Sequence, residues 1–467
     1  MVTTSRSSVP AVVVAAPASG SGKTTVATGL IGALRRAGHR VGPFKVGPDY
    51  IDPGYHGLAA GRPGRNLDPV LVGEERVVPL YRHGARECDI AVVEGVMGLF
   101  DGRIDDNSCA PIAEGSTAQV AALLGAPVVL VVDARGHSQS LAALLHGFAT
   151  FDSSIRLGGV ILNRVGSERH EEVLRAACAR VGLPVLGALP RMAELAVPSR
   201  HLGLIPAVEH GTAAHAAVDA MIELVAAHVD LPAIVRLAAA SASGPSWNAA
   251  DAVADTGGPG PVIAVAGGPA FTFGYAEHRE LLEAAGARVV VFDPLHDGLP
   301  GGTAGLVLPG GFPEEHAAEL AANTPLLHAV ADAARRGMPI HAECAGLLYL
   351  TRSLDGHRMA GVVDATAEFG PRLTLGYRDA VALADSPLWS AGERVRGHEF
   401  HRTRLVGTGS DTPAWGWRAP SGETVREGAL VARVHASYLH THPAGNPATI
   451  GRFVSAARQF DGTRVDG

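Results

Sequence analysis

Residues 17–25 read Pro17-Ala18-Ser19-Gly20-Ser21-Gly22-Lys23-Thr24-Thr25, with an apolar run before them and a helix-forming stretch after. Strand, Gly-rich turn, Lys-Thr and helix, in that order, make a phosphate-cradling loop. Gly20 and Gly22 let the backbone N–H groups around Ser21 turn inward on phosphate oxygens, and the helix N-terminus at Thr24-Thr25 adds its positive end. Lys23 is expected to reach the β- and γ-phosphates and Thr24 to hold Mg²⁺. Pro17 departs from the pattern, standing where the first glycine belongs. The plain alternative is a Gly/Ser turn that only caps a helix.

A divalent cation needs acidic oxygens nearby. Phe44-Lys45-Val46-Gly47-Pro48-Asp49-Tyr50-Ile51-Asp52 offers two carboxylates, and Val92-Val93-Glu94 ends an apolar strand in a third. Ligands of open α/β sheets bind at the carboxyl ends of the strands, so Glu94 stands in the place of a metal-side acid. Turn chemistry is the alternative for Asp49 and Asp52, each beside Pro or Gly. Lys45 can bridge a phosphate and a substrate carboxylate, or be an ordinary solvated lysine.

A second reactive constellation lies in the other half. Ile340-His341-Ala342-Glu343-Cys344-Ala345-Gly346 reads as strand, sharp turn and helix. A thiol at such a turn faces a helix N-terminus and is exposed to attack chemistry. The segment resembles the nucleophile elbow of class I glutamine amidotransferases, with Ala342 in place of the first Gly. Upstream, Pro309-Gly310-Gly311 ends another strand, and the N–H groups of Gly311 and Ala345 can form an oxyanion hole. A buried structural cysteine is the alternative. The base should be a histidine, and His435, His440 and His442 are all at hand; the resemblance implies His440, which follows Tyr438-Leu439, and leaves His435 and His442 structural or pocket roles. Many class I amidotransferases orient this histidine with a Glu in a His-Pro-Glu ending. Here His442-Pro443 is followed by Ala444, which suggests a Cys–His dyad.

Those groups need a scaffold. The runs Ala11–Ala16, Ile90–Val93, Val128–Val132 and Gly159–Leu162 are apolar almost throughout, as strands buried on both faces are. Helical stretches such as Thr24–Ala37 and Ala118–Leu124 alternate with them, which predicts a doubly wound parallel sheet. Residues 238–260 are rich in Ala, Ser, Gly and Pro and read as a linker. A second α/β pattern follows, with strands at Val262–Ala266, Ala287–Phe292, Gly305–Leu308 and Pro339–His341. The expected domains are 1–237, a P-loop ATP-dependent synthetase, and 261–467, a flavodoxin-like amidotransferase. A length of 467 residues, 47% hydrophobic and 18% charged, suits two such cores.

The net charge of −7 disfavours sequence-blind nucleic-acid binding. No apolar run is long enough to span a bilayer, and no cleavable leader is evident. Four cysteines, at 88, 109, 178 and 344, make neither a disulfide framework nor a metal knuckle. These features predict a cytoplasmic protein with small-molecule partners.

Taken together, the phosphate loop of dethiobiotin-synthetase type, FKVGPDYIDPGYH, VVEGVMGLFDG, RGHEFH at Arg396–His401 and ASYLHTH resemble the cobyrinate or hydrogenobyrinate a,c-diamide synthase family. The resemblance covers nearly the whole chain. It implies a ligase of cobalamin biosynthesis: glutamine is hydrolysed at Cys344, ATP with Mg²⁺ activates the a- and c-side-chain carboxylates of a corrin macrocycle as acyl phosphates, and ammonia displaces phosphate. It further implies that Lys23, Thr24, Asp49, Glu94, Asp52 and Asp101 serve ATP, Mg²⁺ and the reacting carboxylate, with Tyr50 and Ile51 against the macrocycle. Arg62 and Arg65 lie near the same loop, as pocket cations or as surface residues. Whether the ring carries cobalt stays open, as does a homodimer. So do two rivals: another tetrapyrrole amidoligase (cobyric acid synthase or nickel-sirohydrochlorin a,c-diamide synthase), and a P-loop switch ATPase whose degenerate amidotransferase domain only binds.

Overall fold

The computed structural model describes residues 8–104, 110–191, 199–200, 203–204, 211–254 and 260–465. Two compact units divide the chain, Met1–Trp247 and Asn248–Gly467.

In the first unit, β1 (Ala11–Ala15), β2 (Val41–Val46), β3 (Arg65–Leu67), β4 (Ile90–Glu94), β5 (Val128–Asp133), β6 (Leu157–Val165) and β7 (Val185–Pro190) form one sheet, ordered β3-β2-β4-β1-β5-β6-β7. Every ladder in it is parallel. All five residues of β1 and of β4 are buried, as strands covered on both faces must be. The register sets Val14 level with Glu94, and Lys45 level with Glu94 from the other side. It therefore brings the carboxyl ends of β1, β2 and β4 to one edge, where α1 (Lys23–Arg36) and α2 (Asp52–Ala60) begin. A short antiparallel ribbon, β8 (Ser199–Arg200) with β9 (Gly203–Leu204), follows.

The segment after residue 237 lies against this first unit. Ala239 bridges Ala11, Ser241 and Ala242 donate to the carbonyl of Leu124, and Trp247 donates to that of Pro79.

The second unit has its own sheet: β10 (Val262–Ala266), β11 (Arg288–Phe292), β12 (Thr303–Leu308) and β13 (Ile340–Glu343). After β14 (Ser353–Leu354) and β15 (His357–Arg358) come two long strands, β16 (Asp364–Ala382) and β17 (Arg394–Gly409). Then follow β18 (Trp415–Arg418), β19 (Thr424–Glu427), β20 (Ala429–Val431), β21 (Val434–Ser437) and β22 (His440–Thr441). The central order is β11-β10-β12-β13-β21-β20, parallel except at the β20 edge, which is the flavodoxin-like 2-1-3-4-5 order with one added strand. A further sheet, β15-β14-β16-β17-β22 with β18 and β19 beside β16, is built on the antiparallel β16–β17 pair and was not anticipated from the sequence. Its last ladder sets His398 opposite His440. Among the described residues, no helix is long and apolar enough to cross a membrane.

Candidate active site

In the first unit the phosphate loop runs from β1 into α1. Gly20 and Gly22 have φ of 79° and 94°, values that L side chains resist. A Cβ at Gly22 would also fall 2.2 Å from the Asn163 amide nitrogen. That amide, on β6, donates to the Ser21 carbonyl at 2.9 Å, and Arg164 Nη1 donates to the Gly20 carbonyl at 2.9 Å. Ser21 Oγ donates to the Ala18 carbonyl. The loop is thus held by its carbonyls. Thr25 sits in the first turn of α1.

Thr24 is the junction of the site. Its hydroxyl donates to Glu94 Oε1 at 2.7 Å and lies 3.2 Å from Asp52 Oδ2. Lys45 Nζ donates to the same two oxygens, at 3.0 and 2.5 Å. Glu94 and His56 are fully buried, and Glu94 Oε2 lies 2.7 Å from His56 Nε2. Burial alone would raise the Glu94 carboxyl, but Lys45, His56 and the Thr24 hydroxyl hold it well below the usual carboxylate range. Burial opposes the Lys45 charge too, and Asp52, Glu94 and Asp49 overcome it, so Lys45 is a firm cation. Asp52 is pushed up to about 7 by burial and by its neighbour Asp49, against the pull of Lys45.

Asp49 is placed differently. Its Oδ1 accepts the amides of Ile51 and Asp52 at 2.8 and 3.0 Å, an Asx turn that starts α2, and its Oδ2 is 3.7 Å from Lys45. The carboxylate beside Thr24 is therefore Asp52. Lys23 donates to the Met97 carbonyl at 2.6 Å, and burial lowers its pKa. Asp101 accepts the Gly98 amide at 2.9 Å and so closes the loop that presents that carbonyl. Tyr50 and Ile51 are nearly buried, at 9% and 7% exposure. Arg62 turns away from the loop, to Cys88 Sγ and the carbonyls of Gly84 and Arg86. His56 was missed in the sequence, although it stands one helical turn after Asp52 on α2, a spacing that puts both on one face.

A hydroxyl and two carboxylates that converge behind a phosphate loop are the hard oxygen donors that Mg²⁺ takes, and Lys45 shows that the pocket already favours a cation. Among the described residues, no group of three His, Cys, Asp or Glu is arranged to hold a metal by itself, so phosphate oxygens and water must complete such a shell.

In the second unit, Cys344 follows β13 and caps the helix Ala345–Leu350 with φ 47° and ψ −99°. Such a conformation in a non-glycine residue is strained and persists because its surroundings impose it. The Cys344 amide donates to the Ser437 carbonyl at 2.7 Å, and a Cβ at Gly346 would strike the Leu308 carbonyl at 2.1 Å. The turn therefore needs both a strained nucleophile and a glycine two residues on. Burial, with Glu314 and Glu343 nearby, pushes the thiol above its ordinary pKa. The amides of Gly311 and Ala345 point at the sulfur and pull the other way, and these are the two donors expected of an oxyanion hole. The Phe400 carbonyl lies 3.9 Å from Sγ, so the RGHEFH strand lines the same place.

His440 is fully buried beside Gly310, where a Cβ would come within 2.3 Å of its Cε1. Its Nδ1 lies 3.6 Å from Glu343 Oε2. Burial keeps the facing His398 neutral, lowered to about 3. His435 meets Ser386 Oγ at 3.2 Å, and His442 caps the turn at Pro443 while stacking on Tyr275 at 4.1 Å. Cys88, Cys178 and Cys344 are free and buried, whereas Cys109 lies outside the described residues.

A phosphate loop wired to strand-end carboxylates and a strained thiol under paired amides define a class: a P-loop nucleotide-binding domain carried in one chain with a glutamine amidotransferase domain. Residues 12–205 match the model of the CobQ/CobB/MinD/ParA nucleotide binding domain, and residues 262–448 that of the CobB/CobQ-like glutamine amidotransferase domain. The hydrogenobyrinate a,c-diamide synthase of Mycobacterium tuberculosis is 62% identical over 449 residues, 96% of this chain and 98% of that one. The enzyme of the same name from Streptomyces coelicolor is 55% identical over 97% and 99% of the two chains. The cobyrinate a,c-diamide synthase of a Synechococcus strain is 40% identical over 96% and 98%. The chain belongs to the hydrogenobyrinate and cobyrinate a,c-diamide synthase family.

Proposed function

We propose that this chain amidates the a- and c-carboxylates of hydrogenobyrinate, with ATP and glutamine, in a reducing cytoplasm. The observation that carries the reading is the joint presence of a Thr24–Asp52–Glu94–Lys45 cluster behind a phosphate loop and a thiol under two amides in one chain. The choice of the cobalt-free ring is supported by relatives named for hydrogenobyrinate at 62 and 55% identity, against 40% for one named for cobyrinate.

A carboxylate does not react with ammonia until one oxygen becomes a leaving group. Transfer of the γ-phosphoryl of ATP to the ring carboxylate supplies it, leaving ADP, and ammonia then expels phosphate to form the amide. Bound Mg²⁺ supplies charge neutralisation on the transferring phosphoryl. Thr24, Asp52 and Glu94 are the residues that would hold it. Lys23 and Lys45 bring positive charge to the phosphates and to the acid under attack, and the loop amides fix the nucleotide's position. In the second unit, Cys344 attacks the glutamine side-chain carbonyl, the Gly311 and Ala345 amides take the developing oxyanion, and His440 carries the thiol proton to the departing nitrogen. Water then cleaves the thioester to glutamate.

Incubation of the full chain with ATP, Mg²⁺, glutamine and either hydrogenobyrinate or cobyrinate, read by mass spectrometry, tests this. The expected product has two OH groups replaced by NH₂ on the cobalt-free ring. ATP turnover without any change in ring mass would contradict it.

A further inference from the structure

The carboxylate that stands two residues after the histidine and orients it in many class I amidotransferases is missing here, since His440 is followed by Thr441-His442 and His442 by Pro443-Ala444. We propose that Glu343, the residue immediately before the thiol, does this work here as the positioning residue for His440. The proposal rests on the glutaminase reading above.

The two Glu343 oxygens are divided between two tasks. Oε1 accepts the Thr441 amide at 3.1 Å and the Thr441 hydroxyl at 3.0 Å, and lies 3.3 Å from His341 Nε2. Three groups thus anchor one oxygen. The other, Oε2, faces His440 Nδ1 at 3.6 Å. That is longer than a settled hydrogen bond, and contacts of this kind run long in substrate-free sites and shorten in the Michaelis complex.

The strand register explains why this residue reaches that ring. β13 pairs in parallel with β21 so that Glu343 is level with Ser437, and three residues on the chain delivers His440. Thr441 then ties the anchor back to the histidine's own strand. Burial would neutralise the carboxyl, but the His341 and His440 imidazoles hold it well below the ordinary range, so it stays anionic.

The consequence is a tautomer. A carboxylate at Nδ1 keeps the proton there and leaves Nε2 as the acceptor. As the S–C bond forms, the thiol proton passes to Nε2. As the C–N bond breaks, it passes to the leaving nitrogen, and ammonia departs. Glu343 gains no proton in either step. The close approach of Gly310 to Cε1, on the ring edge between the two nitrogens, limits tilting away from this alignment.

The test is steady-state glutamine hydrolysis by the full chain, with kcat and KM measured separately. Glu343→Gln is expected to lower kcat by about 10²–10⁴-fold, as loss of an orienting carboxylate does elsewhere. KM for glutamine should stay within about threefold, because Glu343 does not touch substrate. Glu343→Asp, which keeps the charge, should recover part of the loss. Wild-type kcat in Glu343→Gln, or a loss confined to KM, would overturn the proposal. Should Glu343→Gln fail to fold, Thr441→Val and Glu343→Asp decide: lower kcat at unchanged KM supports the role, and wild-type kinetics in both overturns it. Cys344→Ala is the control for the underlying reading. If that variant still hydrolyses glutamine, the glutaminase assignment fails, whatever Glu343 does.

Discussion

In the first unit the reactive oxygens are held by charge. Lys45 sits among Asp52, Glu94 and Asp49, and His56 backs Glu94 from inside. In the second unit the reactive sulfur is held by backbone. Cys344 is pinned in a strained turn, its amide tied to Ser437, with two further amides aimed at the sulfur. The difference fits the chemistry that the proposed function would require of each. A site for phosphoryl transfer meets several negative charges at once and needs fixed cations, so its own carboxylates must be neutralised in advance. A thiol that attacks a neutral amide meets no charge until the oxyanion forms, so it needs position and donors rather than counter-ions.

Substitutions should separate the two designs. The largest effect is expected from Glu94→Gln, which removes the anion that Lys45, His56 and Thr24 share. Amidation should fall by at least about 10²-fold with either glutamine or ammonia as nitrogen source. Glutamine binding should be untouched, and amidation at the wild-type rate would remove Glu94 from the account. Next comes Gly310→Ala. The new methyl meets the His440 ring at 2.3 Å, so glutamine-dependent turnover should drop by about 10–100-fold, while ammonia-supported amidation, which does not use that ring, serves as the internal comparison. Equal loss with both nitrogen sources would mean that His440 matters beyond glutamine.

The smallest effect concerns stability. Glu427, buried beneath Ser437 and Tyr438, is pushed up to about 7 by burial. Its value in the folded protein exceeds the ordinary one, so its stabilising contribution is full at low pH and is lost as pH rises through about 7. The loss amounts to about 3 kcal/mol, incurred between the ordinary glutamate value and about 7. Three of the four tryptophans (Trp389, Trp415 and Trp417) lie in the second unit, so tryptophan fluorescence reads its urea midpoint. The buried His278, His398 and His435 of the same unit carry the opposite slope, so the readout is the difference between Glu427→Gln and wild type: it should shift in favour of the variant as pH rises from about 5 to about 7, and a difference that does not change with pH would assign the effect elsewhere.

The first unit's architecture and its phosphate loop were legible because both are local: apolar runs, a Gly-rich turn and a Lys-Thr pair within nine residues. The thiol elbow was legible for the same reason. What escaped depends on pairing over distance. The β16–β17 hairpin gives little period-two signal, since it carries Gly370, Pro371 and Gly376 and its register shifts between Phe369 and Thr374. Of the two acids near Lys45, sequence spacing could not say which would turn toward Thr24. The Asx turn decides it by tying up an Asp49 oxygen and leaving Asp52. Glu343 was passed over because an orienting carboxylate was sought after the histidine, whereas the β13–β21 ladder supplies one from before the cysteine.

The claim beneath all of this is that nitrogen freed at Cys344 is the nitrogen that reaches the ring. Glutamine labelled with ¹⁵N in its side-chain amide, given with hydrogenobyrinate, ATP and Mg²⁺, tests it directly. The wild-type chain should place label in both new amides. Cys344→Ala should place none from glutamine, yet form both amides when ammonium is added. Labelled amides from the Cys344→Ala protein, or its failure with ammonium while still folded, would contradict the account.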